Sequence, residues 1–333
     1  MEIKYFVNTN NRKRYYFIDI LKCLAVMLIV NSHMESSYGK YAFLASGGSI
    51  GLALFFFCSG LTINLSGNFF EFYKKRIQRI YPTVFAVALA ESIILGKASI
   101  LWRVLLFGGG WFVSCIMVMY IAHYVIGKYF HKHVGKIIFI YLFMVLMLPL
   151  FVNAENSNFY YNGASNYWAR FQYFIYLLLG YITRLNIDKL SSVDVKRKWL
   201  MILSLSFPCL FYVILMFSNK YPLLLNYSIL GVFPLVGTVL SWAFLTASFN
   251  MDFNFWSKSL FRCMQFLSAL SLEAYLCQFW IISDKWNYLF PLNILLILVI
   301  ILFVSYLLKI FGNIFMQIFS DRSFDYKKII KII

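Results

Sequence analysis

The sequence predicts an all-α protein, a polytopic transmembrane helical bundle of about ten spans with both termini on the cytoplasmic side. Composition is the first observation: of 333 residues, 62% are hydrophobic, 20% aromatic and 13% charged, with a mean hydropathy of +0.74. A soluble domain does not have this balance. The second is a series of apolar runs of about 17–25 residues, the length an α-helix needs to cross roughly 30 Å of hydrocarbon. Inside a bilayer only helices and closed barrels satisfy every backbone polar group, and these long unbroken runs lack a barrel's alternation. The third is the sorting of positive charge. With the N-terminus in the cytoplasm, 22 of the 30 lysines and arginines fall on the inner side and six on the outer, while Lys22 and Lys309 lie within spans. That asymmetry is the one that orients membrane helices.

Taken in order, the spans lie near 16–34, 47–65, 80–95, 111–126, 136–152, 168–184, 199–217, 228–248, 266–283 and 292–316. Basic clusters at Lys74–Arg79, Lys128–Lys136 and Lys196–Lys198 mark inner loops. Residues 1–333 are expected to form a single membrane-embedded domain with no appended soluble domain and no cleavable signal peptide. The net charge of +17 is read as helix-flanking charge meeting lipid head groups, so no nucleic-acid partner is expected. The six cysteines (23, 58, 115, 209, 263 and 277) show no CxxC or metal-type spacing, which predicts buried free thiols and no metal. The outer loop 153–167, "NAENSNFYYNGASNY", is polar, aromatic and nearly uncharged; its side chains suit contact with a sugar, and simple solvation is the more ordinary reading of such a loop.

A charged side chain in a spanning helix costs roughly 2.5–3.5 kcal/mol at its centre, so each one asks for a reason. The first span, "YFIDILKCLAVMLIVNSH", holds Asp19, Lys22 and His33. Asp19 and Lys22 are three apart and suited to an ion pair. Lys22 and His33 are eleven apart, which puts them on one face about 16 Å from each other along the axis. A histidine takes up and returns a proton near neutral pH, although a histidine at a membrane rim also serves as an interfacial hydrogen-bonder. In "FYKKRIQRIYP", Arg76 and Arg79 share a face and are expected to open the third helix, where guanidinium groups beside free N–H groups suit a phosphate; positive-inside topology explains them equally well. Glu273 is expected near the middle of the ninth span, facing the bundle interior as a protonated acid, an ion-pair partner or a group that orients a histidine. Glu35 and Glu91 are weaker candidates of the same kind. His123 reads as interfacial, and His131 and His133 fall in a basic inner loop.

Several of these pieces occur together and in order in one family. "IDILKCLAVMLIVNSH", "FFFCSGL", the Arg-x-x-Arg-x-x-Pro run through Arg76, Arg79 and Pro82, "GGGWFVSCIMVMY" and "SLEAYLCQFWI" together resemble the acyltransferase-3 family of integral membrane acyltransferases, over about residues 14–320. The chain departs from that pattern at Lys22, where many members carry arginine, and at Gln278, where many carry histidine.

The resemblance implies an O-acyltransferase, with acetyl the usual group, moved from cytoplasmic acyl-CoA to a hydroxyl of a surface polysaccharide or lipid-linked glycan. It implies His33 as catalytic base, Lys22 in the place of the motif's basic residue, and Arg76 and Arg79 as holders of the CoA phosphates. Acetyl-CoA or another short acyl-CoA would be the donor. The partners would be that donor, the glycan and membrane lipids, in the cell membrane of a bacterium. Glu273 completes the catalytic candidates. Ser59, Tyr275 or a backbone N–H near Gly60 are available as oxyanion donors, and both direct transfer and an acyl-histidine route are open. A transporter, flippase or polymerase of lipid-linked sugars is the alternative, since intramembrane charge suits those classes too.

Overall fold

The computed structural model describes residues 6–7, 13–96, 110–147, 167–187, 197–221, 228–249, 258–318 and 324–330. Apart from a two-residue antiparallel ladder that pairs Phe6–Val7 with Lys13–Arg14, its regular structure is helical. The helices are α1 (Tyr16–His33), α2 (Glu35–Tyr38), α3 (Gly48–Thr62), α4 (Phe69–Leu95), α5 (Trp111–Tyr129), α6 (Val134–Met147) and α7 (Tyr167–Leu185). They continue with α8 (Arg197–Lys220), α9 (Val232–Phe249), α10 (Lys258–Ala269), α11 (Ser271–Ile281), α12 (Leu292–Ile318) and α13 (Tyr326–Ile330).

Most of each stretch predicted to span is helical among the described residues. Among the described residues, five are long and apolar enough to cross a membrane unaided: Tyr16–His33, Trp111–Tyr129, Arg197–Ser218, Ser228–Ser248 and Leu292–Ile318. A bent pair, Glu35–Leu44 with Gly48–Thr62 at 100°, makes a sixth. The remaining helices are shorter, as α6 is, or carry charge, as α4 does through Lys74, Lys75, Arg76 and Arg79. The six cysteines are free; Cys23, Cys58 and Cys277 are buried as expected, whereas Cys209 and Cys263 are exposed on α8 and α10.

Two expectations about helix boundaries are corrected. Arg76 and Arg79 do not open the third helix: α4 starts at Phe69, where the Asn68 side chain accepts from the Glu71 N–H at 2.9 Å. This cap satisfies an orphan donor at the helix start. Arg76 and Arg79 therefore lie inside α4, beyond the first turn whose free N–H groups attract anions. The ninth span is not one helix either. It turns at Leu270 (φ −94°, ψ 4°), which separates α10 from α11 and puts Glu273 in the first turn of α11 rather than at mid-helix.

The chain forms two compact units. The first comprises Met1–Ala25, Leu52–Ile63 and His123–Ser257. In it Gly60 of α3 and Gly180 of α7 pack reciprocally. A Cβ on Gly60 would strike the Leu177 carbonyl, and one on Gly180 the Phe57 carbonyl. Only the missing side chains let the two backbones meet, the small-residue device of membrane helices. α8 and α9 pair closely as well, with the Trp242 indole donating to the Ser204 carbonyl at 2.9 Å.

The second unit comprises Val26–Gly51, Asn64–Ala122 and Lys258–Ile333. Its core is α4, α11 and α12 packed on one another. After α1 the chain is fastened by Asn31, whose amide donates to the carbonyls of Leu44 (2.8 Å) and Ser46 (3.0 Å) while its oxygen accepts from the Tyr38 hydroxyl (2.6 Å). Asn287 and Asn293 donate to the carbonyls of Ser36 and Ser37 at 2.7 and 2.8 Å, tying α2 to the start of α12. The end of α1 is thereby held from both sides.

Candidate functional site

His33 is the last residue of α1 and is exposed. Its ring meets Phe279 of α11 edge-on, with centroids 4.8 Å apart at 60°. Its polar neighbours are the Gln278 side chain and the Ile29 backbone. Gln278 is fully buried, and its Nε2 donates to the Tyr275 carbonyl at 2.9 Å. Phe279 is 57% exposed, so the imidazole sits at an open corner of the second unit, flanked by one aromatic edge and one amide. Tyr275 extends this cluster, its ring 6.4 Å from Phe279 and 5.2 Å from Phe112 of α5.

Glu273 lies a turn and a half before Phe279 and is wholly buried. Its Oε1 accepts from the Thr83 hydroxyl at 2.9 Å and from Lys309 Nζ at 3.0 Å. Among the options open to Glu273, the structure shows the ion pair, made to a lysine of α12. Its Oε2 has no hydrogen-bond partner among the described residues. Thr83 directly follows Pro82, so the end of the Arg-x-x-Arg-x-x-Pro run is what meets the buried carboxylate.

Arg76 and Arg79 part company. Arg76 is 8% exposed, with its guanidinium 5.4 Å from the Phe72 ring and 5.8 Å from the Tyr120 ring of α5. Those distances are within cation–π range. Arg79 is exposed. Three residues turn a helix by about 300°, so the two lie on neighbouring lines of α4, one turned into packing and the other out.

These residues make three clusters in the second unit, linked by two helices. Arg76 and Thr83 are seven apart, two turns of α4, so they lie on one side about 10 Å from each other along the axis. Glu273 and Phe279 are about 9 Å apart along α11. Lys22 falls in the first unit, where it and Asp19 are half-buried and both within electrostatic reach of the buried Cys58 thiol of α3. Of the oxyanion donors considered, Tyr275 belongs to the aromatic cluster at His33, whereas Gly60 is committed to packing against α7.

Three partners escaped sequence reasoning: Thr83, Gln278 as the neighbour of His33, and Lys309 as the neighbour of Glu273. Lys309 carried a signal as a second costly charge inside an apolar run, and Gln278 as a departure from the family pattern, while Thr83 carried none. His123, read as interfacial, is wholly buried in the protein, with its ring 4.8 Å from that of Tyr181. His131 and His133 are exposed on a short 3-10 turn. Glu35 is exposed on α2. Residues 153–166 of the polar loop 153–167 lie outside the described residues.

Comparison with known families completes the picture. A family model, acyltransferase-3, described as an acyltransferase domain, matches residues 15–311. No curated protein and no solved structure matches the chain.

Proposed function

The chain belongs to the acyltransferase-3 family, and from that premise we propose that it is an O-acyltransferase of the cell membrane. It moves an acetyl or other short acyl group from cytoplasmic acyl-CoA to a hydroxyl of a surface polysaccharide or lipid-linked glycan. The observation that carries this reading is His33, exposed at the end of α1 and held between Phe279 and Gln278.

A sugar hydroxyl is a poor nucleophile until a base takes its proton within about 2.6–3.2 Å. The neutral His33 imidazole takes that proton as the hydroxyl oxygen attacks the thioester carbonyl. The carbon–sulfur bond then breaks, and the proton passes to the departing CoA thiolate. The carbonyl oxygen carries negative charge in between and needs a donor, a role for the Tyr275 hydroxyl. Arg79 and Arg76 attract the CoA phosphates, with Arg79 the exposed contact. The two helical links from Arg76 to Thr83 and from Glu273 to Phe279 suit a donor that carries its thioester on a long flexible arm. Glu273 holds α4, α11 and α12 in register for that path, and Lys22 supports α1 in the place of the motif's basic residue. The charge asymmetry supports ten crossings with both termini inside.

The test supplies labelled acetyl-CoA to membranes with and without the protein, then follows label into glycan. The wild type transfers label, and His33→Ala lowers the rate by about 100-fold or more. Transfer at the full rate in His33→Ala would remove the base from this scheme. No transfer from any short acyl-CoA would favour a carrier of lipid-linked sugars.

A further inference from the structure

We infer that Gln278 is the positioning residue of His33: its buried side-chain oxygen accepts one imidazole N–H and so leaves the other ring nitrogen to take the substrate proton. The inference rests on His33 acting as the base.

The amide has a defined orientation. Its Nε2 donates to the Tyr275 carbonyl at 2.9 Å, a partner that accepts only, so the nitrogen end is assigned. The other end, Oε1, is buried and has no hydrogen-bond partner among the described residues. Leaving a buried carbonyl oxygen unsatisfied is unfavourable, because it has given up water and gained no donor. The donor at hand is the imidazole, which has this side chain as its polar neighbour. Phe279, the next residue of α11, lies edge-on to the same ring at 4.8 Å and limits its rotation.

A neutral imidazole has one N–H and one acceptor nitrogen, and which is which follows from the bond the N–H makes. Gln278 supplies an acceptor that does not itself titrate, so the bond it offers to the neutral imidazole does not depend on a charge of its own. A histidine at this position would carry a donor as well as an acceptor and would change its charge near neutral pH. The nearby carboxylates Glu35 of α2 and Asp284 of the turn after α11 are exposed, and the buried Glu273 of α11 accepts from Thr83 and Lys309 of the helices packed against it. None of them replaces a buried acceptor.

The experiment compares Gln278→Leu, Gln278→Glu and His33→Ala in membranes, with the host's own envelope glycans as acceptor and labelled acetyl-CoA as donor, and with protein abundance measured throughout. Gln278→Leu is expected to lower the maximal rate by about 10–100-fold, as loss of an orienting partner does, with KM for acetyl-CoA within about twofold of wild type. Gln278→Glu keeps an acceptor oxygen at the same reach and is expected to retain more activity than Gln278→Leu. A purely structural role predicts the opposite order, since a buried carboxylate costs far more than a leucine. A wild-type maximal rate in Gln278→Leu, or less activity in Gln278→Glu than in Gln278→Leu, overturns the inference. The parallel arm separates the two failures: an inactive His33→Ala beside a fully active Gln278→Leu removes the positioning role alone. Full transfer by His33→Ala, or none by the wild type, removes the base and this inference with it.

Discussion

Arg76 and Arg79 show how far a shared motif hides different work. Both were legible as a pair from their spacing. Their division of labour was not, because a three-residue step puts one side chain against Phe72 and Tyr120 and turns the other out. Burial of the first depends on Tyr120, which is 44 residues away in sequence. An exposed guanidinium that contacts phosphate contributes about 1.5–3 kcal/mol through charged hydrogen bonds, and every 1.4 kcal/mol is tenfold in affinity. Arg79→Ala is therefore expected to raise KM for acetyl-CoA by about tenfold or more, with normal protein abundance. Arg76→Ala should lower abundance as well, and Arg76→Lys should restore it poorly, since an ammonium lacks the planar stack between two rings. Kinetics set beside quantified protein in the membrane check this. An unchanged KM in Arg79→Ala would reduce that residue to a topology signal.

At the level of elements, the helices were legible because apolar runs of spanning length leave a bilayer protein few alternatives. The turn at Leu270 was not. "FLSALSLEAY" contains neither proline nor glycine, and its hydropathy runs on without a gap. Its backbone N–H even keeps helical partners, donating towards the carbonyls of Phe266 and Leu267 at 3.1 and 3.2 Å. The same reasoning divides the site. His33 and Glu273 stood out because polarity in hydrocarbon is costly, and Arg76 and Arg79 by their spacing in a basic cluster. Thr83 did not, because an uncharged side chain in a membrane helix bears little of that cost, and Gln278 did only as a departure from the family pattern. The joint of α4, α11 and α12 is where this matters most, since Glu273 is wholly buried and Lys309 only 29% exposed. Removing one partner of a buried ion pair costs about 3–5 kcal/mol, whereas replacing both by neutral groups is often neutral. Lys309→Met is therefore expected to lower the thermal midpoint in detergent, and Lys309→Met with Glu273→Gln to lie closer to wild type than Lys309→Met alone. A double variant no more stable than that single variant would mean that some other contact sets the joint.

For the whole molecule the remaining question is which way the chain runs through the bilayer, and charge is the feature that bears on it. A lysine or arginine carried across during insertion is disfavoured, so loops rich in them stay inside. Ten crossings that start inside would give a 22-to-six division of the basic residues. One crossing gained or lost before a loop would exchange the two sides from that point onward and place a basic cluster outside. Lys40 and Lys285 then face the exterior, and Lys75 and Lys132 the cytoplasm; all four are exposed, so each accepts a cysteine without disturbing packing. Replaced one at a time, Lys40→Cys and Lys285→Cys are expected to react with a membrane-impermeant maleimide in intact cells beyond the level given by the native thiols. Lys75→Cys and Lys132→Cys are expected to react only after permeabilisation. The outcome bears on the chemistry as well as the topology. If Lys75→Cys reacted in intact cells, Arg76 and Arg79 would begin on the side of the membrane that holds no acyl-CoA, and the donor path from those arginines toward His33 would have to be abandoned.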